Sequence, residues 1–431
     1  MKFPSTSDLY SLFLKHPVVS TDSRTTPRGS IFFALKGENF DGNTFAEPVL
    51  KQGCSYAVID NETYYKEGTY VLVKDSLSAL QDLAAHHRSQ LKIPVVAITG
   101  SNGKTTTKEL LKAVLSKKYK VLATTGNLNN HIGVPLTVLS ITPDIEMAVI
   151  EMGANHMGEI AALCRIAQPD YGLITNIGRA HIGEFGSFEN IVKAKTEMYD
   201  FIRGKKGKVF VSSGNELLMD RSKGIERITF GPDAEAGCRC FFDGADPVLK
   251  AKHDNESIRS QLIGKYNFEN VSAAIAIGKY FGVENKKIKE AIEEYVPSNN
   301  RSQVVKTKFH TLILDAYNAN PSSMQVAIDN FSEMEGEPKW LILGDMLELG
   351  PYEDQEHQEI LHTVESMKFQ NVILVGERFL KAAKEKKGYL VFKTSDELSA
   401  KLRLNSPIEN GSWILIKGSR GMKLEKAVEF L

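Results

Sequence analysis

The chain has 431 residues, and its 53 Lys+Arg balance 53 Asp+Glu, so it carries no formal net charge at pH 7. Length alone points to about three domains at roughly 150 residues each. The charge balance argues against a broad surface for nucleic acid or anionic membrane, while leaving room for a local basic pocket; neither partner is expected. Four cysteines, Cys54, Cys164, Cys238 and Cys240, are few for this length. Cys238-Arg239-Cys240 is too tightly spaced for the usual zinc pattern, so reduced, structural thiols are expected. The N-terminus lacks a signal-type apolar core, and no run of about 18 apolar residues occurs, so the expectation is a soluble cytoplasmic protein.

Residues 1–90 mix short strands with turn clusters, such as Arg28-Gly29-Ser30 before Ile31-Phe32-Phe33-Ala34-Leu35, and lead out through a helical pattern at 76–89. From 91 to 298 the strands become more apolar and alternate with helices: 95–99, 147–152, 171–177 and 208–212. That alternation predicts a parallel sheet covered by helices. Pro297-Ser298-Asn299-Asn300 reads as a linker. Over 299–431 the pattern restarts, with strands at 311–315, 340–344, 371–376, 390–392 and 413–417. Helices are predicted at 322–334, 355–367, 377–386, 397–404 and 423–431, which makes a second doubly wound unit. The fold class is therefore α/β, and functional residues should follow the carboxyl ends of strands.

The stretch Val95-Val96-Ala97-Ile98-Thr99-Gly100-Ser101-Asn102-Gly103-Lys104-Thr105-Thr106-Thr107 is the most informative. A buried strand runs into a glycine turn and then a helix predicted over 107–118. Glycines let backbone N–H groups close around phosphate oxygens, and the helix points its positive end at them. Lys104 can reach the β- and γ-phosphates, and the Thr105 hydroxyl can ligate Mg²⁺. The spacing departs from G-x-x-x-x-G-K-[ST], because Ile98 stands where the first glycine would fall. An ordinary strand–helix turn has no need of Lys-Thr-Thr-Thr, so an ATP site is expected.

Two later strands end in Glu151-Met152-Gly153 and Thr175-Asn176-Ile177-Gly178, with His181 close behind. Oxygen ligands and an imidazole beside a phosphate loop suit Mg²⁺. Alone, Glu151 reads equally well as a helix-capping carboxylate, and His181 as a structural histidine. In the next helical stretch, 188–199, the lysines read most simply as a solvated face, and pattern assigns Lys195 no chemistry.

The succession 99–106, Glu151-Met152-Gly153-Ala154, Thr175-Asn176-Ile177-Gly178-x-Ala180-His181 and Ala194-Lys195-x-Glu197 resembles the Mur ligase family, ATP-dependent amide-forming enzymes of peptidoglycan precursor synthesis. Asn127–Pro135, Asp315–Pro321, Leu343–Gly350 and Lys417-Gly418-Ser419-Arg420 resemble the branch that joins D-alanyl-D-alanine to UDP-N-acetylmuramoyl-tripeptide. The resemblance spans essentially the whole chain. It implies a small mixed α/β UDP-sugar domain (1–90), a central P-loop ATPase domain with a mainly parallel sheet (91–298) and a C-terminal Rossmann-like domain (299–431).

It also implies residue roles. ATP would be bound by Gly100, Ser101, Asn102, Gly103, Lys104, Thr105 and Thr106, with Asn267, Asn270 and Asp315. Two Mg²⁺ ions would be held by Thr105, Glu151, His181 and Lys195, the last as a carbamate. Lys104, Lys195, His181 and Arg301 would serve catalysis. Ser23, Arg24, Lys36, Asp41 and Asn43 match the uridine-diphosphate pocket, though on residues alone this is a polar turn. Asn129, Asn130, Tyr317, Asn318 and Asn320 complete the substrate set, the last three near the incoming dipeptide. The 264–270 segment reads equally as a helix N-terminus capped by asparagines. Asn43 and Tyr266 stand where many relatives have histidine. A monomer is expected. The rivals are a sister ligase that adds one amino acid to a muramyl peptide or glutamates to folate, and a P-loop switch that hydrolyses ATP without ligation.

Overall fold

The computed structural model describes residues 3–431 except 234, 246, 299 and 385; the expected linker falls partly on residue 299 and so partly outside them. In the first domain, strands β1 (Val19–Ser20), β2 (Ile31–Phe33), β3 (Tyr56–Ile59) and β4 (Tyr70–Leu72) form a parallel sheet in the order β1-β2-β3-β4. Helix α1 (Thr6–Lys15) packs on α2 (Ser76–Gln90), which also contacts helices of the central domain at Gly133–Leu139 and Glu159–Ala167. Arg88 fixes that junction: its guanidinium donates to Ala167 O at 3.0 Å and to the Asp170 carboxylate at 2.9 Å.

The central sheet contains β5 (Val95–Thr99), β6 (Val121–Ala123), β7 (Met147–Glu151), β8 (Tyr171–Ile174), β9 (Lys208–Ser212), β10 (Glu226–Gly231) and β11 (Cys238–Arg239). Their order is β11-β10-β9-β8-β5-β7-β6, all parallel. β5 and β7 are buried on both faces, which explains their unbroken apolar character. The chain leaves β7 on one side of β5 and enters β8 on the other. The carboxyl ends of β5, β7 and β8 therefore meet at a switch point, where such sheets collect ligands. Helix α3 (Lys104–Leu115) begins three residues earlier than the sequence predicts, because Gly103, at φ +78°, turns the loop directly into it.

An element unassigned from sequence follows: an antiparallel sheet of β12 (Phe241–Ala245), β13 (Val248–His253) and β14 (Glu256–Ile263). In β14 the buried residues Ile258, Ser260 and Leu262 alternate, as a half-buried strand requires. The sheet covers helix α5 (Phe268–Tyr280).

The third domain is a six-stranded sheet of β15 (Gln303–Lys306), β16 (Thr311–Asp315), β17 (Lys339–Gly344), β18 (Asn371–Val375), β19 (Tyr389–Phe392) and β20 (Trp413–Lys417). The order is β15-β16-β20-β17-β18-β19, and only β15 runs antiparallel to its neighbour. The helix expected at 423–431 is instead a 3-10 helix, Leu424–Phe430. Leu424, Ala427 and Phe430 recur every third residue and turn inward together, which suits three residues per turn. The helix expected to reach residue 386 ends at Ala382.

Candidate active site

The phosphate loop leaves β5 through backbone that only glycine fits. A Cβ on Gly100 (φ +145°) would lie 2.0 Å from Thr175 Oγ1, and one on Gly103 would lie 2.6 Å from Asn270 Oδ1. Asn176, after β8, accepts from Asn102 N at 3.0 Å and donates to Asn102 O at 3.1 Å, so the third strand end shapes the loop. Lys104 Nζ folds over the loop and donates to Gly100 O at 2.7 Å and Ser101 O at 3.1 Å. Burial pushes its ammonium down to about 8, with Glu151 opposing that shift.

Glu151, at the end of β7, is 1% exposed. Its Oε1 accepts from Thr105 Oγ1 at 3.2 Å and from Asn129 Nδ2 at 2.8 Å, while buried Oε2 has no partner. Lys195, on helix α4 (Phe188–Lys205), corrects the expectation of a solvated face. Lys193 is exposed, but two residues further on is about 200° around the helix, and Lys195 is only 1% exposed. Its Nζ lies 5.6 Å over the Phe185 ring and makes no hydrogen bond or ion pair among the described residues. Burial, reinforced by the charge of Lys104, pushes it down to about 7.

This donor set fits magnesium: an orphaned buried carboxylate oxygen, a threonine hydroxyl and an amine able to shed its proton lie beside the phosphate loop. His181 opens the short helix Ile182–Phe185 at φ +56°. Its Nδ1 lies 2.7 Å from Glu348 Oε2 and 3.5 Å from Glu184 Oε2. Glu348 comes from the third domain. It has no role legible in the sequence, although it lies within Leu343–Gly350; its φ is +66°, and it lines the cleft.

The third domain closes a cleft of ≈ 1290 Å³ over these groups. Asp315, at the end of β16, pairs in register with Lys417 of β20; their side chains lie 2.5 Å apart, and Asp315 also accepts from Ser302 N at 3.1 Å. In the sequence Lys417 stands out only as part of Lys417–Arg420; its place at a strand end, in register with Asp315, is the signal for its role. The Arg301 guanidinium stacks 3.6 Å from the centre of the Tyr317 ring, and its Nε is buried without a partner. Asn320 Nδ2 donates to Asn102 Oδ1 at 2.8 Å, so the third domain touches the phosphate loop itself. Asn130, Asn267, Asn270 and Asn318 also line the cleft. Asn270 bonds Asn267 at 2.9 Å and Thr107 at 3.0 Å, while Tyr266 reaches across to Ser302 at 2.8 Å.

The N-terminal candidates do not line this cleft. Arg24 is exposed and forks onto Asp22 at 2.9 and 2.7 Å, which holds that carboxyl down at about 2; Ser23 lies between them. Lys36 pairs with Asp60 at 2.9 Å. Asn43 is fully buried, donates to Asp41 at 2.6 Å and Asp60 at 2.9 Å, and accepts from Asp60 N at 3.0 Å. Its amide is thus committed to holding the turn.

A phosphate loop and a buried carboxylate facing a second α/β domain, with a near-neutral lysine close to the loop, define a three-domain enzyme that works on ATP between its domains. The Mur ligase middle domain matches residues 98–278, and the Mur ligase glutamate ligase domain matches residues 300–420. The chain belongs to the Mur ligase family. It is 37% identical to the UDP-N-acetylmuramoyl-tripeptide–D-alanyl-D-alanine ligase of Bacillus subtilis (strain 168), over 96% of this chain and 92% of that one. Among solved structures it is similar to MurF from Acinetobacter baumannii (TM-score 0.85, 31% identity, 95% of this chain and 92% of that one). MurF ligase from Thermotoga maritima in complex with ADP gives TM-score 0.85 at 25% identity, covering 97% of each chain.

Proposed function

We propose that this chain adds D-alanyl-D-alanine to UDP-N-acetylmuramoyl-tripeptide with consumption of ATP, giving UDP-N-acetylmuramoyl-pentapeptide, ADP and phosphate. It acts as a cytoplasmic monomer with domain borders near residues 90 and 298; among the described residues no helix is long and apolar enough to cross a membrane. The carrying observation is the juxtaposition across one cleft of Lys104 and Glu151 with Arg301, Tyr317 and Asn320, with Lys195 near enough to Lys104 to feel its charge.

A carboxylate does not accept an amine directly, because its oxygen is a poor leaving group. Transfer of the γ-phosphoryl group to the tripeptide carboxylate makes an acyl phosphate. The dipeptide amine then attacks the carbonyl carbon and phosphate departs. Lys104 neutralises charge as carboxylate and γ-phosphate approach. Magnesium held by Thr105 and Glu151, and by His181 with Lys195 as a carbamate, would screen the same anions. Lys195 is suited to that modification because its amine sheds its proton near neutrality and can attack CO₂, releasing one proton. Asp315 and Lys417 fix the floor of the third domain, while Tyr317, Asn318 and Asn320 position the dipeptide. Asn267 and Asn270 face the adenine side, and Ser23, Arg24, Lys36 and Asp41 take the uridine diphosphate. Closure aligns amine and acyl phosphate and excludes water, an alignment worth up to about 7–11 kcal/mol in such reactions.

The test is phosphate release from ATP with tripeptide substrate and dipeptide added singly and together. Release only with both, and a product heavier by the dipeptide, is expected. Release without the dipeptide would favour a P-loop switch, and release with a single amino acid a sister ligase.

A further inference from the structure

Away from the cleft, three soft donors converge where the central sheet meets the antiparallel one. Cys238 lies on the edge strand β11, and Cys240, two residues on, faces the same way, as alternation in extended chain demands. His253 arrives from the end of β13. All three are buried, at 2%, 0% and 1% exposure. The two sulfurs are 4.0 Å apart, Cys238 Sγ is 3.8 Å from His253 Nδ1, and all three donor atoms lie within 4.8 Å of one another.

Bond lengths of about 2.3 Å to sulfur and about 2.0–2.1 Å to imidazole nitrogen put the donors of a tetrahedral zinc site about 3.8 Å (S to S) and about 3.6 Å (S to N) apart. The Cys238–Cys240 and Cys238–His253 spacings need only a few tenths of an ångström of contraction, and the Cys240–His253 pair at most about 1.2 Å. The second imidazole nitrogen completes the pattern: Nε2 lies 3.3 Å from Asp254 Oδ2. Asp254 is itself held by Lys279 at 3.1 Å and Asn285 at 2.9 Å. Nε2 makes no aligned hydrogen bond in this conformation, but a carboxylate this close to the far nitrogen favours a proton there and so leaves Nδ1 as the ligand. Without metal, Nδ1 faces Arg239 O at 2.8 Å, so metal entry displaces that proton together with those of the thiols.

We propose that Cys238, Cys240 and His253 bind a thiophilic divalent cation of the Zn²⁺ class, with Asp254 as the orienting partner. Two thiolates and a neutral imidazole balance a 2+ ion, so the buried assembly carries no net charge. That balance suits the apolar core cluster to which Cys238 and Cys240 belong, together with residues such as Leu249, Ala251, Val271 and Ala274. The ion would staple the antiparallel sheet to the central one. Strand β14 runs from there directly into Gly264–Asn267 at the cleft, so the staple steadies the segment carrying Asn267 and Asn270.

The experiment measures zinc in the full chain produced in zinc-supplemented medium and washed with EDTA. About one ion per chain is expected in the wild type, below about a tenth in Cys238→Ser and His253→Gln, and about one in Cys164→Ser. Zinc below about a tenth per chain in the wild type, or equal in wild type and the two site variants, overturns the proposal. Should the site variants fail to fold, wild-type chain produced with Co²⁺ decides. A thiolate-to-cobalt charge-transfer band with tetrahedral visible bands supports the site, and their absence overturns it. Recovery of a Cys238–Cys240 disulfide with no retained metal also overturns it, and assigns the cluster to redox chemistry.

Discussion

The cleft and the N-terminal polar turn are both rich in charge, yet they are built in opposite ways. At the cleft some buried charged atoms are left under-partnered: Glu151 Oε2 and Arg301 Nε have no partner, and nearby Lys195 Nζ lies only over an aromatic ring. Around residues 22–43 the charges are exposed or already matched, Arg24 by Asp22 and Lys36 by Asp60. A buried polar atom without a partner is costly and persists where a ligand completes it. An exposed ion pair costs almost nothing and carries little information by itself. The cleft therefore declares chemistry, whereas the first domain declares at most a place to dock.

The largest expected effect tests the cleft side of that contrast. Lys104→Ala removes the cation that folds over the phosphate loop, and ATP turnover should fall by about 10³-fold or more. Binding of UDP-N-acetylmuramoyl-tripeptide, followed by calorimetry, should survive. Unchanged phosphate release would remove Lys104 from the reaction, and joint loss of both functions would mean that the two regions are not separable.

Lys195→Ala should lower turnover by about 10²–10³-fold, with partial recovery in excess bicarbonate or a short-chain carboxylate that fills the gap. Full activity in that variant, with no carbamate carbon detected by NMR in ¹³CO₂-equilibrated wild type, would exclude the modification. The depressed lysine also sets a pH dependence. In the unfolded chain it titrates near 10.5 and in the folded chain near 7, so between those values the unfolded state holds the extra proton. Stability of the nucleotide-free protein to urea should therefore rise with pH across that window. Lys195→Met should flatten the rise.

Sequence carried the sheet alternation, the phosphate loop and the strand-end residues Glu151 and Asp315, because buried parallel strands and glycine turns impose local patterns. It did not carry Lys195, whose burial depends on which face of α4 meets the core; a helix of alternating lysines and apolar residues reads as solvated until its partner is known. Glu348 and Lys417 were hidden for a related reason, since each acquires its role only across a domain or strand boundary. The antiparallel sheet at 241–263 was missed although β14 alternates, because its lysines and polar turns blur the period. Asn43 was read as a ligand from motif position, while its actual bonds run inward to Asp41 and Asp60.

A smaller effect separates folding from function at the domain contact. Asn320 caps helix α6 (Pro321–Glu333) by accepting from Ser323 N at 2.9 Å, and its Nδ2 reaches Asn102. Asn320→Ala loses both and should cost about 1 kcal/mol of stability by denaturant titration. Asn320→Ser keeps a capping oxygen but cannot span to the loop. Its stability should stay near the wild type, while turnover falls by on the order of tenfold. A fully active Ser variant would reduce the contact to a cap.

The smallest expected effect addresses the first domain directly. Arg24→Ala breaks an exposed fork to Asp22 and leaves no buried group unpaired, so the melting temperature should not move. If the turn docks the uridine diphosphate, the KM for the UDP-substrate should rise on the order of tenfold, because a guanidinium paired with phosphate is a charge-assisted contact. The kcat should hold, since Arg24 lies outside the cleft. Asp22 sharpens the reading: removing it in Asp22→Asn frees the guanidinium, and the KM should fall or stay level. A rise in KM for both variants would mean that the fork itself shapes the turn. No change in either would leave the exposed pair as surface charge and move UDP recognition elsewhere in the domain.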